Sequence, residues 1–326
     1  MLGRLITALL WRPYELACRR FPLVPLRATV TPLNEHVEMI RIENAVTRAI
    51  TWLGGGYDYS VSYLIDRTLL IDTGFPWARR SLRRTLLELG ANNTLTAVVN
   101  THHHEDHIGN NDLIGELCDA PIFAHRLAVG DIRHPSELPW YRRFMFGPLT
   151  ASPVQQVPAY IETAQCRLDV HHMPGHSDDH ICLFEPDRGW LFSGDLYVAA
   201  EIDSQLSDVD GPAWIRSLEH AMRLAPRAMY DSHGMIVEGE DAVMQTLQRK
   251  HVFLVRLRDA INQAAIGTAS VREITRTVFG SKGFVDTVSF SDGWLSLLTA
   301  SDFSRSNVVR SFLRVQSHVG EAAELA

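Results

Sequence analysis

The sequence predicts a mixed α/β fold, α/β or α+β in class, in which short strands alternate with helices and a helical extension follows. Three observations carry that expectation. The chain has 326 residues, 46% hydrophobic and 21% charged, with a mean hydropathy of −0.05, enough for one large core plus a small appended domain. Short apolar runs, among them Leu69-Leu70-Ile71, Ala97-Val98-Val99, Trp190-Leu191-Phe192 and Ala228-Met229-Tyr230, each lead into polar or glycine punctuation, as buried strands do. After residue 250 the grammar changes: apolar residues recur at helical spacing over 252–264 and 270–279, and 307–313 reads as a last helix.

From the start of the chain, Leu2, Leu5, Ile6, Leu9 and Trp11 form an amphipathic pattern that Arg12, Pro13 and Glu15 interrupt, too early for a transmembrane helix. Arg19-Arg20 and the lack of a small-residue cleavage pattern argue against a secretory signal. This helix is expected to pack on the protein's own body, with peripheral membrane contact as the alternative. Pro22, Pro25 and Pro32 then make an extended linker. The expected organisation is an N-terminal helix and linker over 1–38, a catalytic domain over 39–245 and a helical domain over 246–326. Gly54-Gly55-Gly56-Tyr57-Asp58-Tyr59 reads as a loop over a site mouth, with Tyr57 and Tyr59 as substrate-contact candidates against a hairpin-capping role. A helix is expected over 77–89, with Leu82, Leu86 and Leu89 inward and Arg79, Arg80, Arg83 and Arg84 as a solvated face.

The stretch around which the chain is organised is Thr101-His102-His103-His104-Glu105-Asp106-His107-Ile108-Gly109, directly after a strand. In extended backbone His102 and His104 project from one side, and Asp106 and His107 can splay onto a second centre as the chain turns. Imidazole and carboxylate without thiolate suit zinc, with iron or manganese as alternatives. His103 and Glu105 alternate with these residues and should face away. Downstream, Pro174-Gly175-His176-Ser177, Ser193-Gly194-Asp195 and Asp231-Ser232-His233-Gly234 repeat one grammar, an apolar run whose C-terminal end delivers one ligand. A carboxylate of Asp178-Asp179 could steady a ligand imidazole through its other nitrogen. Between these clusters lies 125–158, with Trp140 and Phe144 in an aromatic stretch that reads as local packing or as a wall beside a substrate. His125 and His134 read as structural.

In these motifs the sequence resembles the metallo-β-lactamase superfamily: His102, His104, Asp106, His107, His176, Asp195 and His233 fill all seven positions of its two-metal pattern, in order, and Leu69–Gly74 resembles its early strand and turn. The resemblance covers about residues 40 to 240. It implies an αββα sandwich, with His102, His104 and His176 on one metal, Asp106, His107 and His233 on the other, and Asp195 between them. Gly175-His176-Ser177-Asp178-Asp179-His180 is similar to the branch holding β-lactamase-like endoribonucleases and acyl-CoA thioesterases of quinolone signalling, and the helical tail resembles that branch's winged-helix-like extension.

The implied chemistry is hydrolysis by a water whose pKa two divalent cations lower toward neutrality. Asp106 would orient that water, and Tyr197 would either donate to the oxyanion or pack. The expected substrate is a carboxylic ester, thioester or lactone. Cleavage of single-stranded RNA is the alternative, favoured by a mildly basic tail and disfavoured by a net charge of −7. Arg256, Arg258, Arg272 and Lys282 of that tail either bind a phosphate-bearing substrate or are simply solvated. True β-lactamase action fits less well, since the main zinc β-lactamases carry a cysteine where Asp195 stands; a non-catalytic binding protein is a further alternative. Cys18, Cys118, Cys166 and Cys182 have no metal-ligand spacing, and a reducing cytoplasm is expected. A nucleic-acid partner, membrane contact through the N-terminal helix and a homodimer all stay open.

Overall fold

A computed structural model describes residues 26–44, 59–280, 299 and 302–313. The amphipathic segment at 1–12, the glycine loop with Tyr57, Cys18 and Lys282 lie outside them. The chain forms two compact units. One takes residues up to Asp169 together with Ser232–Gly234, and the other takes Val170–Asp231 and the chain from Met235 onward.

The first unit is built on a seven-stranded sheet of β1 (Leu26–Pro32), β2 (Val37–Asn44), β3 (Tyr59–Ile65), β4 (Leu69–Ile71), β5 (Ala97–Val99), β6 (Ile122–Ala124) and β7 (Gln155–Gln156), in that order. β1 to β4 are antiparallel and β4 to β7 parallel. Parallel neighbours need crossovers, and helices supply them: α1 (Arg79–Glu88) and α2 (Ala91–Thr94), then α3 (Glu105–Ile108) and α4 (Asn111–Leu117), then α5 (Ala128–Arg133) and α6 (Trp140–Phe146). β4 and β5 are buried at every position, as expected where helices cover a parallel sheet. α1 matches the expected helix 77–89 except that residues 76–78 form a 3-10 turn, where Pro76 is tolerated because its missing N–H would be unsatisfied anyway. Leu82 and Leu86 are fully buried. Arg79 is not merely solvated: it pairs with Asp112 at 2.7 Å and Glu116 at 2.6 Å on α4. β8 (Tyr160–Glu162) pairs antiparallel with the start of β9 (Arg167–His172), the strand through which the chain leaves this unit.

In the second unit β10 (Ile181–Glu185) pairs antiparallel with β11 (Trp190–Gly194), β11 parallel with β12 (Ala228–Asp231), and β12 antiparallel with β13 (Ile236–Glu238). The parallel crossover is α7 (Gly211–Arg223), whose Asp210 N-cap accepts from the Ala213 N–H. A helical C-terminal region is present: α8 (Glu240–Ala265), α9 (Val271–Phe279) and α10 (305–313). Residue 245, after which the boundary was expected, lies inside α8, and among the described residues the extension shares its core with the strands. Leu247, Leu254, Ile261, Ile274, Val308 and Phe312 join Leu191, Met229, Trp214 and Leu218 in one apolar cluster. The Phe312 ring closes on Gly211, where a Cβ would come within 2.3 Å of it. Among the described residues no helix is long and apolar enough to cross a membrane.

Candidate metal centre

In the first unit the histidine string leaves β5 and turns into α3, with His104 in extended backbone as its N-cap. Its side chains are held by one carboxylate, Asp72, and one guanidinium, Arg142. Asp72, 1% exposed, accepts from the Thr101 N–H at 2.7 Å, the Thr101 hydroxyl at 2.8 Å and His107 Nδ1 at 2.8 Å. It does so from a left-handed backbone, φ 61°, a conformation that costs a non-glycine residue roughly 1 kcal/mol or more. Donation from Nδ1 selects the His107 tautomer with its lone pair on Nε2, the form that ligates a metal. Glu105 is buried and forms a two-pronged ion pair with Arg142 of α6. Burial alone would push its carboxyl up, and the guanidinium overcomes this and holds it below the usual range.

The rest of this cluster is tight. His102 Nε2 and His104 Nδ1 lie 2.9 Å apart, and the His102 and His107 rings are 3.9 Å apart. Asp106, His107 and His233 offer ligand atoms that all lie within 4.8 Å of one another. His233 Nδ1 reaches the Tyr59 carbonyl at 3.2 Å. Gly234, φ 79°, follows because a Cβ there would meet the Tyr59 ring at 2.8 Å.

In the second unit His176 Nε2 and Asp195 Oδ2 are 3.3 Å apart. Gly175 precedes His176 at φ 144°, and a Cβ on it would come 2.3 Å from Trp214 Cα, so only glycine lets this turn lie against α7. Here the braces hold backbone. The Asp195 N–H donates to His180 Nε2 at 2.9 Å, while His180 Nδ1 meets the Met173 carbonyl at 3.0 Å, which fixes a neutral imidazole that accepts on one side and donates on the other. Trp214 Nε1 donates to the Leu196 carbonyl at 2.6 Å. Lys250 of α8 donates to the Tyr197 carbonyl and to Ala199 at 3.0 Å. The Val198 N–H donates to Asp231 at 3.1 Å, with Val198 itself at φ 57°. Every residue from Asp195 to Ala199 thus has a backbone group tied to a buried side chain. Lys250 is fully buried beside the Trp214 ring, 4.1 Å away, and burial draws its ammonium down to about 7 against the opposing pull of Asp231 and Asp195. A neutral amine has two N–H donors, matching the two carbonyls.

The donor set, imidazoles and carboxylates at low exposure, fits divalent metal ions. The described cysteines take no part in this set: Cys118, Cys166 and Cys182 form no disulfide, and burial pushes the Cys182 thiol up, as expected of a structural residue. Asp72, Lys250 and His180, which accepts from the Asp195 N–H, are the braces the sequence reading missed.

His103 and Glu105 face a separate pocket of about 260 Å³ that Arg142 and Leu149 also line, in keeping with their alternation. Trp140 is 47% exposed, and α6 has no buried residue. Phe144 accepts from Trp77 Nε1 through its carbonyl at 3.2 Å; neither aromatic lines that pocket. The Tyr59 ring lies under Arg41 at 3.6 Å. Tyr197 is 4% exposed and part of the apolar cluster; burial raises its phenol pKa, with Arg249 opposing.

A family profile described as the Metallo-beta-lactamase superfamily matches residues 55–233. An acyl-coenzyme A thioesterase of Homo sapiens is 30% identical over 220 residues, 59% of this chain and 73% of that relative. A hydroxyacylglutathione hydrolase of Legionella pneumophila (strain Paris) is 27% identical over 113 residues, 33% of this chain, and the match spans only 35% of that relative's length. Of solved structures, a metallo-beta-lactamase family protein of Thermus thermophilus has a TM-score of 0.59 at 19% identity, covering 91% of this chain and 95% of its own. A metallo-beta-lactamase from Pontibacter korlensis has a TM-score of 0.52 at 16% identity, covering 70% and 99%.

Proposed function

The chain belongs to the metallo-beta-lactamase superfamily in sequence and fold, a family of mostly hydrolytic enzymes, and from that premise we propose that it is a dinuclear-metal hydrolase of thioesters. The observation that carries this reading is the full set of seven motif residues, whose members gather at hydrogen-bonding to ligand-pair distances within each unit. By the family pattern His102, His104 and His176 would hold the first ion and Asp106, His107 and His233 the second, with Asp195 as the shared ligand. Zinc suits this nitrogen and oxygen set best, with iron and manganese as alternatives. When bound, two such ions supply a nucleophilic water at neutral pH and positive charge for the oxyanion.

The chain's own residues do the rest. Asp106, the most exposed of its cluster, accepts a hydrogen bond from the attacking water and turns its lone pair toward the carbonyl carbon. Asp72, through His107, keeps the imidazole lone pair outward. A thiolate leaves without a strong general acid, which suits a site where no second acid stands out among the motif residues. The thioesterase reading is supported by the names of the relatives, one hydrolysing an acyl-coenzyme A and the other a hydroxyacylglutathione; lactones and simple carboxylic esters share the same acyl chemistry.

The test is hydrolysis of an acyl-CoA thioester, a lactone, a β-lactam and a fluorogenic single-stranded RNA by protein of known metal content, each repeated with Asp106→Ala. Thioester turnover that falls at least a hundredfold in the variant supports the reading. Turnover of RNA alone would replace it with phosphodiester chemistry.

A further inference from the structure

On its solvent side α8 carries a stripe at helical spacing, Gln245, Gln248, Arg249, Val252 and Arg256, all exposed or half-buried. With half-buried Phe253 and the segment Ala200–Glu201, these residues line a groove of about 460 Å³, the size range of a small-molecule site. Two exposed arginines of this stripe, Arg249 and Arg256, form no ion pair among the described residues. Between these two positions on the helix stand Val252, 41% exposed, and half-buried Phe253, which line the same groove.

Seven residues of helix separate the two arginines by about 10 Å along the axis. That spacing suits a ligand with phosphate groups at two positions of one sugar and a flat base projecting from it. Planar guanidinium groups grip phosphate oxygens in pairs, and Gln245 and Gln248 add amide donors and acceptors beside them. The groove also adjoins the segment that carries the site. Ala200 follows directly on Asp195–Ala199, and the field of Arg249 reaches the Tyr197 phenol.

We propose that the groove of Arg249, Val252, Phe253 and Arg256 binds the nucleotide end of a coenzyme A thioester, with the arginines on its diphosphate and 3′-phosphate and the base over Phe253. This rests on the thioesterase reading for its role in catalysis, not for the binding itself. Glu201 offers an acceptor to a sugar hydroxyl or an exocyclic amine. The site makes the helical extension a reader of the thiol arm, separate from the groups that act on the acyl carbon.

The experiment uses the metal-loaded full chain and the double variant Arg249→Gln/Arg256→Gln, with two substrates of the same acyl group: the coenzyme A thioester and the N-acetylcysteamine thioester, which lacks the nucleotide. Adenosine 3′,5′-bisphosphate is titrated calorimetrically into both proteins. The proposal expects KM for the coenzyme A thioester to rise at least tenfold in the variant with kcat kept, no change on the truncated thioester, and loss of bisphosphate binding. Equal kinetics on both substrates, or equal loss on both, overturns it. If the wild-type chain hydrolyses neither thioester, the thioesterase reading falls, yet saturable bisphosphate binding that the variant loses still upholds the groove. Absence of that binding, or binding of a single-stranded oligonucleotide alone, overturns the groove.

Discussion

The two units brace their ligands differently. In the first, four of the five candidate ligands come as one short string on a strand end and a helical turn, and His233 joins them singly. Its braces are charged groups acting on side chains: Asp72 on Thr101 and His107, and Arg142 on Glu105. In the second, His176 and Asp195 come singly, and the segment after Asp195 takes a backbone path that includes a valine at positive φ. Its braces act on main chain: His180, Trp214, Asp231 and Lys250. A ligand on regular structure needs its ring aimed, whereas one on irregular structure needs its peptide groups fixed first.

The largest effect is expected from breaking the buried ion pair of the first unit. Arg142→Met leaves Glu105 buried without its countercharge and should cost about 3–5 kcal/mol of stability, measured by chemical denaturation at pH 7. Since Arg142 holds the Glu105 value below 4.5, the pair's contribution is complete above pH 4.5 and is lost as pH falls through the folded value. The variant should therefore lose less stability on acidification than the native chain, and an equal acid slope in both would remove Glu105 from the account.

Next comes the main-chain brace. Lys250→Met strands the Tyr197 and Ala199 carbonyls and should cost about 2–4 kcal/mol. The folded lysine, at about 7, binds fewer protons than the unfolded one at 10.5 between those values. Native stability attributable to Lys250 therefore grows as pH rises through that window, and thermal melts from pH 7 to 10.5 should show a slope that the variant lacks. An unchanged slope would mean that Lys250 is charged in the fold.

Asp72→Asn sharpens the comparison at lower cost. It removes the charge that fixes the His107 tautomer while leaving the shape, so metal affinity should fall roughly tenfold to a hundredfold, with little change in melting temperature of the metal-free chain. A competition titration with a chromophoric chelator measures it. A large loss of stability without a change in affinity would make Asp72 a folding residue only.

What was legible in the sequence follows the same division. The apolar runs of β4, β5, β11 and β12 announced themselves, because parallel strands covered by helices are apolar throughout. The histidine string did so too, since four ligand-type residues within six positions have no common structural use. The braces were hidden for opposite reasons. Asp72 stands 35 residues ahead of His107 and reads as part of a turn. Lys250 lies in Arg249-Lys250-His251, a charged triplet that looks solvated throughout, and only the packing of α8 on α7 turns the middle residue inward. The start of α8 at Glu240 was missed for a similar reason, because its first turn is polar and exposed. The helical extension was visible from periodicity, but its shared core with β11 and β12 was not, since a helix stripe does not say which sheet it covers.

The central proposal is that the seven motif residues hold two divalent ions. Elemental analysis by plasma mass spectrometry of the native chain, Asp195→Ala and His233→Ala, each purified without chelator, tests it most directly. The account predicts two divalent ions per native chain, about one in His233→Ala, and fewer than one in Asp195→Ala, where the shared ligand is gone. A native chain with one ion or none, or a content unchanged in both variants, would contradict it.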